Sequence, residues 1–496
     1  MLGFIYRVFL SRVLSTAMLG IYTIALSVFG IFNTLLASGT TLAISRLVSI
    51  GDKNVITFDK KKDNASKFVA AGCIIATITA LLVVLFIIIA KPFFDKLFTH
   101  ELIYKVLLIL LPAIISTGVY TSFRGYMYGR EKYLQASVVE LIEQILRMGI
   151  SMFIMLYLYS SASPLHAGVG FSVAAVISTI IGIFIYFKIG GRLSSPKKHF
   201  KPVIASSVPI TAVRLGGSIV VPIVSTIIPL KLVSIGFKID QALSVLGIMV
   251  GMTLPLISIP GTFIAALSTA LIPRVAVLHK EKKYDELNNE INTSMNFAII
   301  LTFLVMPVFA ALGEPICELI FNSKAAGTYL SYACWIMLPM NITHLTSTIL
   351  NALGLEFKCF WIYIISSIFL FASILFLPTL IGIHSIIFGM GSSAAISAYL
   401  NFIIIKKNIP IKQKYFKNML LLALLTIPIS MLTNYSFNIL SIVFPSIIAL
   451  GLASTVAVVA YLSLLMAFNL YDIKTVYFAC YNKIKNKAKP VQDKIA

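Results

Sequence analysis

Negative charge is scarce in this chain. Asp and Glu number 18 among 496 residues, against 40 Lys and Arg, and all charged types together reach only 12%. A soluble protein of this size carries roughly 25%, so a soluble globular domain is excluded. Cysteine is sparse too. Cys73, Cys317, Cys334, Cys359 and Cys480 form no C-x-x-C pair and lie in or near apolar blocks. That excludes a disulfide framework and a zinc ribbon, and leaves them as small packing residues. The six histidines are scattered, with no H-E-x-x-H, and no G-x-x-x-x-G-K-[ST] loop occurs. Asp95, Glu101 and Asp240 make no D-x-D pair, and no nucleophile stands with a base. The expectation is a chain with no catalytic residues, no metal, no cofactor and no enzymatic activity.

What is present is hydrophobic residue in long runs, 59% of the chain. The runs fall into fourteen blocks, from 1–14 to 441–471, most of them near or above the ~20 residues that cross a bilayer. The sequence therefore predicts an all-α polytopic membrane protein with about fourteen transmembrane helices. A cleaved leader is not expected, because apolar character continues to Ile50 with no small-residue cleavage site before a polar start.

The formal charge of +22 invites a nucleic-acid reading. Alternate loops decide otherwise. One set, comprising 49–67, 123–133, 188–201, 273–290, 354–358, 406–417 and the tail 472–496, holds 29 Lys and Arg, and the intervening set holds 6. Basic loops stay on the cytoplasmic side. Both termini are therefore expected inside, the location is the cell membrane, and no nucleic acid is implied. The tail "KNKAKPVQDK" reads as solvated, in touch with anionic membrane lipid.

Five basic residues remain inside apolar blocks, and all are arginine: Arg7, Arg12, Arg46, Arg147 and Arg214. A charge at mid-bilayer costs at least ~2.5 kcal/mol, so such residues face a wet cavity or a partner. Arg46, close to the polar "GDKNV", fits snorkelling equally well. In "ELIEQILR" the stripe Glu140, Glu143, Arg147 reads as a structural ion pair, with Glu143 four residues before Arg147. Arg7, Arg12 and Arg214 have no acidic residue three or four positions away in the sequence and are the sharper candidates for binding. Buried acids are fewer than arginines, which favours an anionic substrate.

Prolines cluster as well. Pro209, Pro222 and Pro229 punctuate one block, and Pro255 and Pro260 interrupt another in "GMTLPLISIPGTF". Proline frees backbone carbonyls and bends membrane helices, and broken helices mark the moving parts of transporters. Pro222, Pro255 and Pro260 are the candidate hinges. The G-x-x-x-G of Gly247 and Gly251 allows close helix contact.

Four stretches carry a family likeness: "LGFIYRVFLSRVLSTAMLGIYTIALSVFGIFNTLLASGTTLAISRLVS", "FRGYMYGREKYLQASVVELIEQILR", "SVPITAVRLGGSIVVPIVSTIIPLKL" and "GMTLPLISIPGTFIAALSTALIPRVA". With them the chain resembles the multidrug/oligosaccharidyl-lipid/polysaccharide exporter superfamily, and within it the polysaccharide flippase branch of the sporulation type. The resemblance implies a MATE-like arrangement of two six-helix lobes around a central cavity, with alternating access. The expected divisions are an N-terminal lobe over 1–190, a basic linker over 191–202, a C-terminal lobe over 203–405, two further helices over 406–471 and a basic tail over 472–496. The implied substrate is a polyprenyl-pyrophosphate-linked oligosaccharide or peptidoglycan precursor. By motif, Arg7 and Arg12 match the arginines of the first helix, and Arg214 matches the "PIT…R" of the seventh. Helix eight of some lipid II flippases carries an arginine that "FKIDQALSVLG" lacks. Fourteen residues of helix span only ~21 Å, so the first helix is expected to lack its beginning. Two rival readings are a cation-coupled multidrug exporter of the same fold and a non-transporting cell-envelope scaffold.

Overall fold

The computed structural model describes residues 2–53, 62–158, 162–196, 199–409 and 415–467, and among these it is helical nearly throughout, with no strand. Twelve described helices are long and apolar enough to cross a membrane, or thirteen if a pair bent by 41° counts as one. The chain is a multi-pass membrane protein. It divides into two compact units, Met1–Gly251 and Met252–Ala496.

The first unit holds α1 (Leu2–Val13), α2 (Thr16–Lys53), α3 (Lys62–Ile89), α4 (Lys91–Leu97), α5 (Glu101–Ile109), α6 (Leu111–Gly129), α7 (Tyr133–Phe153), α8 (Pro164–Lys188), α9 (Phe200–Ser218), α10 (Val220–Ser234) and α11 (Ile239–Leu246). Helix α2 is its spine, packing against α3, α5, α6, α9, α10 and α11. Ile44, Val48, Val69, Tyr126 and Tyr186 form one buried cluster where α2, α3, α6 and α8 meet. Helix α1 is short and packs against α7 and α2.

The second unit holds α12 (Leu254–Ile257), α13 (Ile259–Lys280), α14 (Tyr284–Phe321), α15 (Lys324–Ala333), α16 (Met337–Ala352), α17 (Glu356–Phe376), α18 (Pro378–Ile381), α19 (His384–Asn408), α20 (Tyr415–Val443) and α21 (Ser446–Ala467). Lipid supplies no hydrophobic drive between helices, so interhelical hydrogen bonds and close packing hold them. Asn341 donates to Thr302 Oγ1 (2.8 Å), joining α16 to α14. Asn401 donates to Thr346 Oγ1 (3.2 Å) and Ser347 Oγ (3.0 Å), joining α19 to α16. The last two helices pack on α14, where Phe303 stacks parallel to Tyr461 at 6.3 Å.

Helix breaks follow proline. A proline ring crowds the carbonyl four residues back and offers no donor to it. The α9–α10 break at Ile219 lies three residues before Pro222, and the α12–α13 break at Ser258 lies two before Pro260. Leu312, three residues before Pro315, leaves helical geometry at φ −110°. At the α12–α13 break the Ser258 hydroxyl donates to the carbonyls of Leu254 (2.8 Å) and Pro255 (3.0 Å). The single apolar block expected over 240–272 is thus two candidate spans, Ile239–Ile257 and Ile259–Lys280, the first containing a π-helical stretch, Gly247–Thr253, before Pro255.

Candidate functional site

Within the first unit, α1, α2, α7, α8, α10 and the π-helical stretch line a partly open cavity of about 410 Å³. Arg7 of α1 and Arg147 of α7 both line it, and Tyr6, Tyr22, Gln144 and Ser225 add polar groups to its wall.

The two arginines are held differently. Arg7 is exposed to the cavity and donates from Nη1 to the carbonyl of Val250 at 3.3 Å. That acceptor lies in the π-helical stretch, where the wider turn weakens the regular i→i−4 ladder. Arg147 is nearly enclosed. Its guanidinium pairs with Glu143, both side chains being only 15% exposed, and lies 3.7 Å from the centre of the Phe171 ring. An enclosed cation beside a carboxylate and an aromatic face is held firmly. Its Nε is buried without a hydrogen-bond partner. With Glu143 neutralising Arg147, the wall of this cavity carries a net charge of about +1, from Arg7.

Short α1 is fixed in place by Tyr6, whose hydroxyl donates to the buried Ser151 Oγ at 2.9 Å. Ser151 can approach because α8 presents Gly170 to it, where any side chain would overlap Ser151 itself.

Helix α2 makes two close approaches of its own. At one level Gly20 meets the Leu243 carbonyl and Gly247 meets the Thr16 carbonyl, with no room for a Cβ at either glycine. Thr16 Oγ1 donates to Ser244 Oγ there at 3.0 Å. Gly251 packs on Leu19, so both glycines of the G-x-x-x-G face α2. Nineteen residues on, about 28 Å along the helix, Gly39 lies against Ser207 and Thr211 of α9.

The sequence candidates are distributed as follows. Arg7 lines the cavity. Arg12 is exposed in the last turn of α1, Arg46 on α2 and Arg214 on α9, and none of the three is among the described residues lining it. Glu143 pairs with Arg147, whereas Glu140 pairs across helices with Arg124 of α6 at 3.3 Å. Arg124 also donates to Thr41 Oγ1 at 3.2 Å, which ties α6 to α2. Sequence reading placed Arg124 in the loop 123–133, but α6 continues to Gly129, so Arg124 is a helical residue one turn short of the end. Pro222 lies in α10, and Pro255 and Pro260 open α12 and α13. Sequence reasoning passed over Tyr6, Tyr22 and Gln144, and took Arg147 as purely structural. Tyr6 sits one residue before Arg7, but nothing in its spacing points to Ser151.

A sequence profile of the family described as "Polysaccharide biosynthesis protein" matches residues 1–279, more than half of the chain. The chain belongs to this family. A second profile, MatE, matches residues 240–376. Stage V sporulation protein B of Bacillus subtilis (strain 168) is 21% identical over 367 residues, covering 72% of this chain and 70% of that protein. Among solved structures, the lipid II flippase MurJ in an inward closed conformation aligns with a TM-score of 0.68 at 15% identity, covering 95% of this chain and 97% of that one. An inward-facing multidrug resistance MATE family transporter of the MOP superfamily gives 0.66 at 13% identity, covering 82% and 94%. At these identities the structural likeness establishes the fold. The protein has the MATE-like polytopic fold and is a multi-pass membrane protein.

Proposed function

We propose that this protein is a transporter that flips an anionic lipid-linked sugar, a polyprenyl-pyrophosphate oligosaccharide or peptidoglycan precursor, across the cytoplasmic membrane by alternating access. Both termini lie on the basic, cytoplasmic side. The observation that carries the reading is the cavity in which Arg7 and Arg147 face one space beside tyrosine, glutamine and serine side chains. Arginine presents forked donors matched to phosphate oxygens, and neutral hydroxyl and amide groups suit sugar hydroxyls. The polyprenyl tail stays in lipid while the headgroup crosses. Arg12, Arg46 and Arg214 meet the headgroup at other stages of the cycle, and Pro222, Pro255 and Pro260 bend as the access changes side. The activity is transport without covalent chemistry.

A cation-coupled multidrug exporter of the same fold needs a free carboxylate in its cavity. No carboxylate is among the described residues lining this cavity, and Glu143, on the same helix as Gln144 and Arg147, is paired with Arg147, which favours the anionic substrate. A scaffold without transport would tolerate loss of every cavity arginine.

The test is outer-face accessibility of the lipid-linked peptidoglycan precursor in cells depleted of their own flippase. This chain, and its Arg7→Gln and Arg214→Ala forms, are supplied in turn. Restored accessibility that is lost with Arg7→Gln supports the proposal, and loss with Arg214→Ala adds that residue to the pathway. Failure of a stably inserted wild-type chain rules out this precursor as the substrate.

A further inference from the structure

A second and larger cavity, about 800 Å³, lies in the same unit and shares no lining residue with the first. It is an open groove between α3 and α8, closed at one end by the segment that follows α8. Its lining is sorted by chemistry. Ser66, Arg192, Ser194 and Ser195 stand at one end, and Cys73, Ile74 and Ile183 at the other. From Ser66 to Ile74 the groove runs about 12 Å along α3.

The polar end is a built structure. Tyr186 is buried, and its hydroxyl donates to the Arg192 carbonyl at 2.9 Å. The Arg192 amide donates to Ser66 Oγ at 3.2 Å. Gly191 accommodates the Tyr186 ring where any Cβ would overlap it. These contacts fix the Arg192 backbone while its side chain stays exposed. Ser194 Oγ is buried at the groove with no hydrogen-bond partner. The hydroxyl is thereby available to donate to or accept from a group entering the groove.

We propose that this groove binds an anionic glycerophospholipid of the surrounding leaflet, with its phosphate on Arg192, Ser194 and Ser195 and an acyl chain along Val69, Ile74 and Ile183. One molecule, apolar at one end and anionic at the other, matches the sorting of the lining. The polar end also lies where the basic segment 188–201 leaves the apolar helices, the level at which headgroups sit. Leu193, 89% exposed between Arg192 and Ser194, extends the apolar wall at the rim. Binding at this place anchors the segment joining α8 to α9, so the protein should depend on acidic lipid.

The test uses the full chain in nanodiscs and photoreactive lipids with a diazirine on the acyl chain. The probes are a phosphatidylglycerol and a phosphatidylcholine, with a polyprenyl phosphate as competitor. The phosphatidylglycerol probe should label peptides of α3 and α8 around Val69–Ile74 and Ile183–Phe187 in preference to the phosphatidylcholine probe. Arg192→Gln should lower that preference about fivefold, the contribution of one cation near a headgroup. Ala70→Trp, which fills the groove from α3, should lower labelling by both probes. A variant counts only if its thermal unfolding matches the wild type. Otherwise Ser194→Ala replaces Arg192→Gln, with the same direction expected. Equal labelling by the two lipids, an unchanged preference in Arg192→Gln, or displacement by polyprenyl phosphate but not by excess phosphatidylglycerol would overturn the proposal.

Discussion

The Arg147 guanidinium carbon lies 3.7 Å from the centre of the Phe171 ring, on a side chain that is also paired with Glu143. The cation is therefore held between α7 and α8, with both side chains of the ion pair almost enclosed. Removing one partner of such a pair strands the other charge and costs about 3–5 kcal/mol. Glu143→Gln and Arg147→Gln should each lower the unfolding temperature in detergent. The double variant should regain most of the loss, because the two neutral side chains leave no stranded charge. Transport should not return with it if Arg147 contacts the headgroup. A double variant no more stable than either single one would show that the pair does not act as a unit.

Arg7 presents the opposite situation. It is exposed to the cavity and makes one hydrogen bond, to the Val250 carbonyl. Its replacement should disturb stability by no more than ~1 kcal/mol. Arg7→Gln should unfold within a few degrees of the wild type and yet lose transport. Arg7→Lys keeps the charge and loses the planar fork, so it should retain only part of the activity. Parallel melting curves and precursor accessibility separate these outcomes, and an Arg7→Gln protein that transports normally excludes this residue from binding.

The difference between these arginines marks how far the sequence can be read. Membrane architecture is legible because bilayer thickness fixes the length of a spanning helix. The break at Ser258 was announced by Pro255 and Pro260, though the split of one apolar block into two helices was not. Glu143 and Arg147 are one turn apart, a spacing that any helical reading displays. Glu140 finds Arg124 on another helix, and no periodicity along α7 points there. Hydropathy also ended the fourth block too early, which turned Arg124 into a loop residue. The cavity itself arises from packing of α1, α2, α7, α8 and α10, and a single sequence does not state which faces of five helices converge.

Tyr6 tests the seating of α1. Its hydroxyl donates to Ser151 Oγ across 2.9 Å in a buried setting. Tyr6→Phe should cost about 1 kcal/mol through the lost bond. Because Arg7 follows Tyr6 directly on α1, the larger effect should be on the position of Arg7. We expect a small drop in unfolding temperature together with weaker substrate binding. A Tyr6→Phe protein with reduced stability and unchanged binding would make the bond purely structural.

The approach of α2 to α11 gives the most direct test of movement. Gly20 and Gly247 let the two backbones touch, and Thr16 Oγ1 stands 3.0 Å from Ser244 Oγ. Hydroxyls this close place the two β-carbons near the separation that a disulfide requires. A chain carrying Thr16→Cys and Ser244→Cys should cross-link under mild oxidation. If α2 and α11 part during the cycle, the cross-linked protein should stop transporting, and a reductant should restore it. Gly247→Val should produce the converse, holding the helices apart so that a cysteine at position 16 reacts with an impermeant thiol reagent more readily than in the unsubstituted background. Full transport by the oxidised, fully cross-linked protein would show that this contact is permanent packing and that opening takes place elsewhere in the molecule.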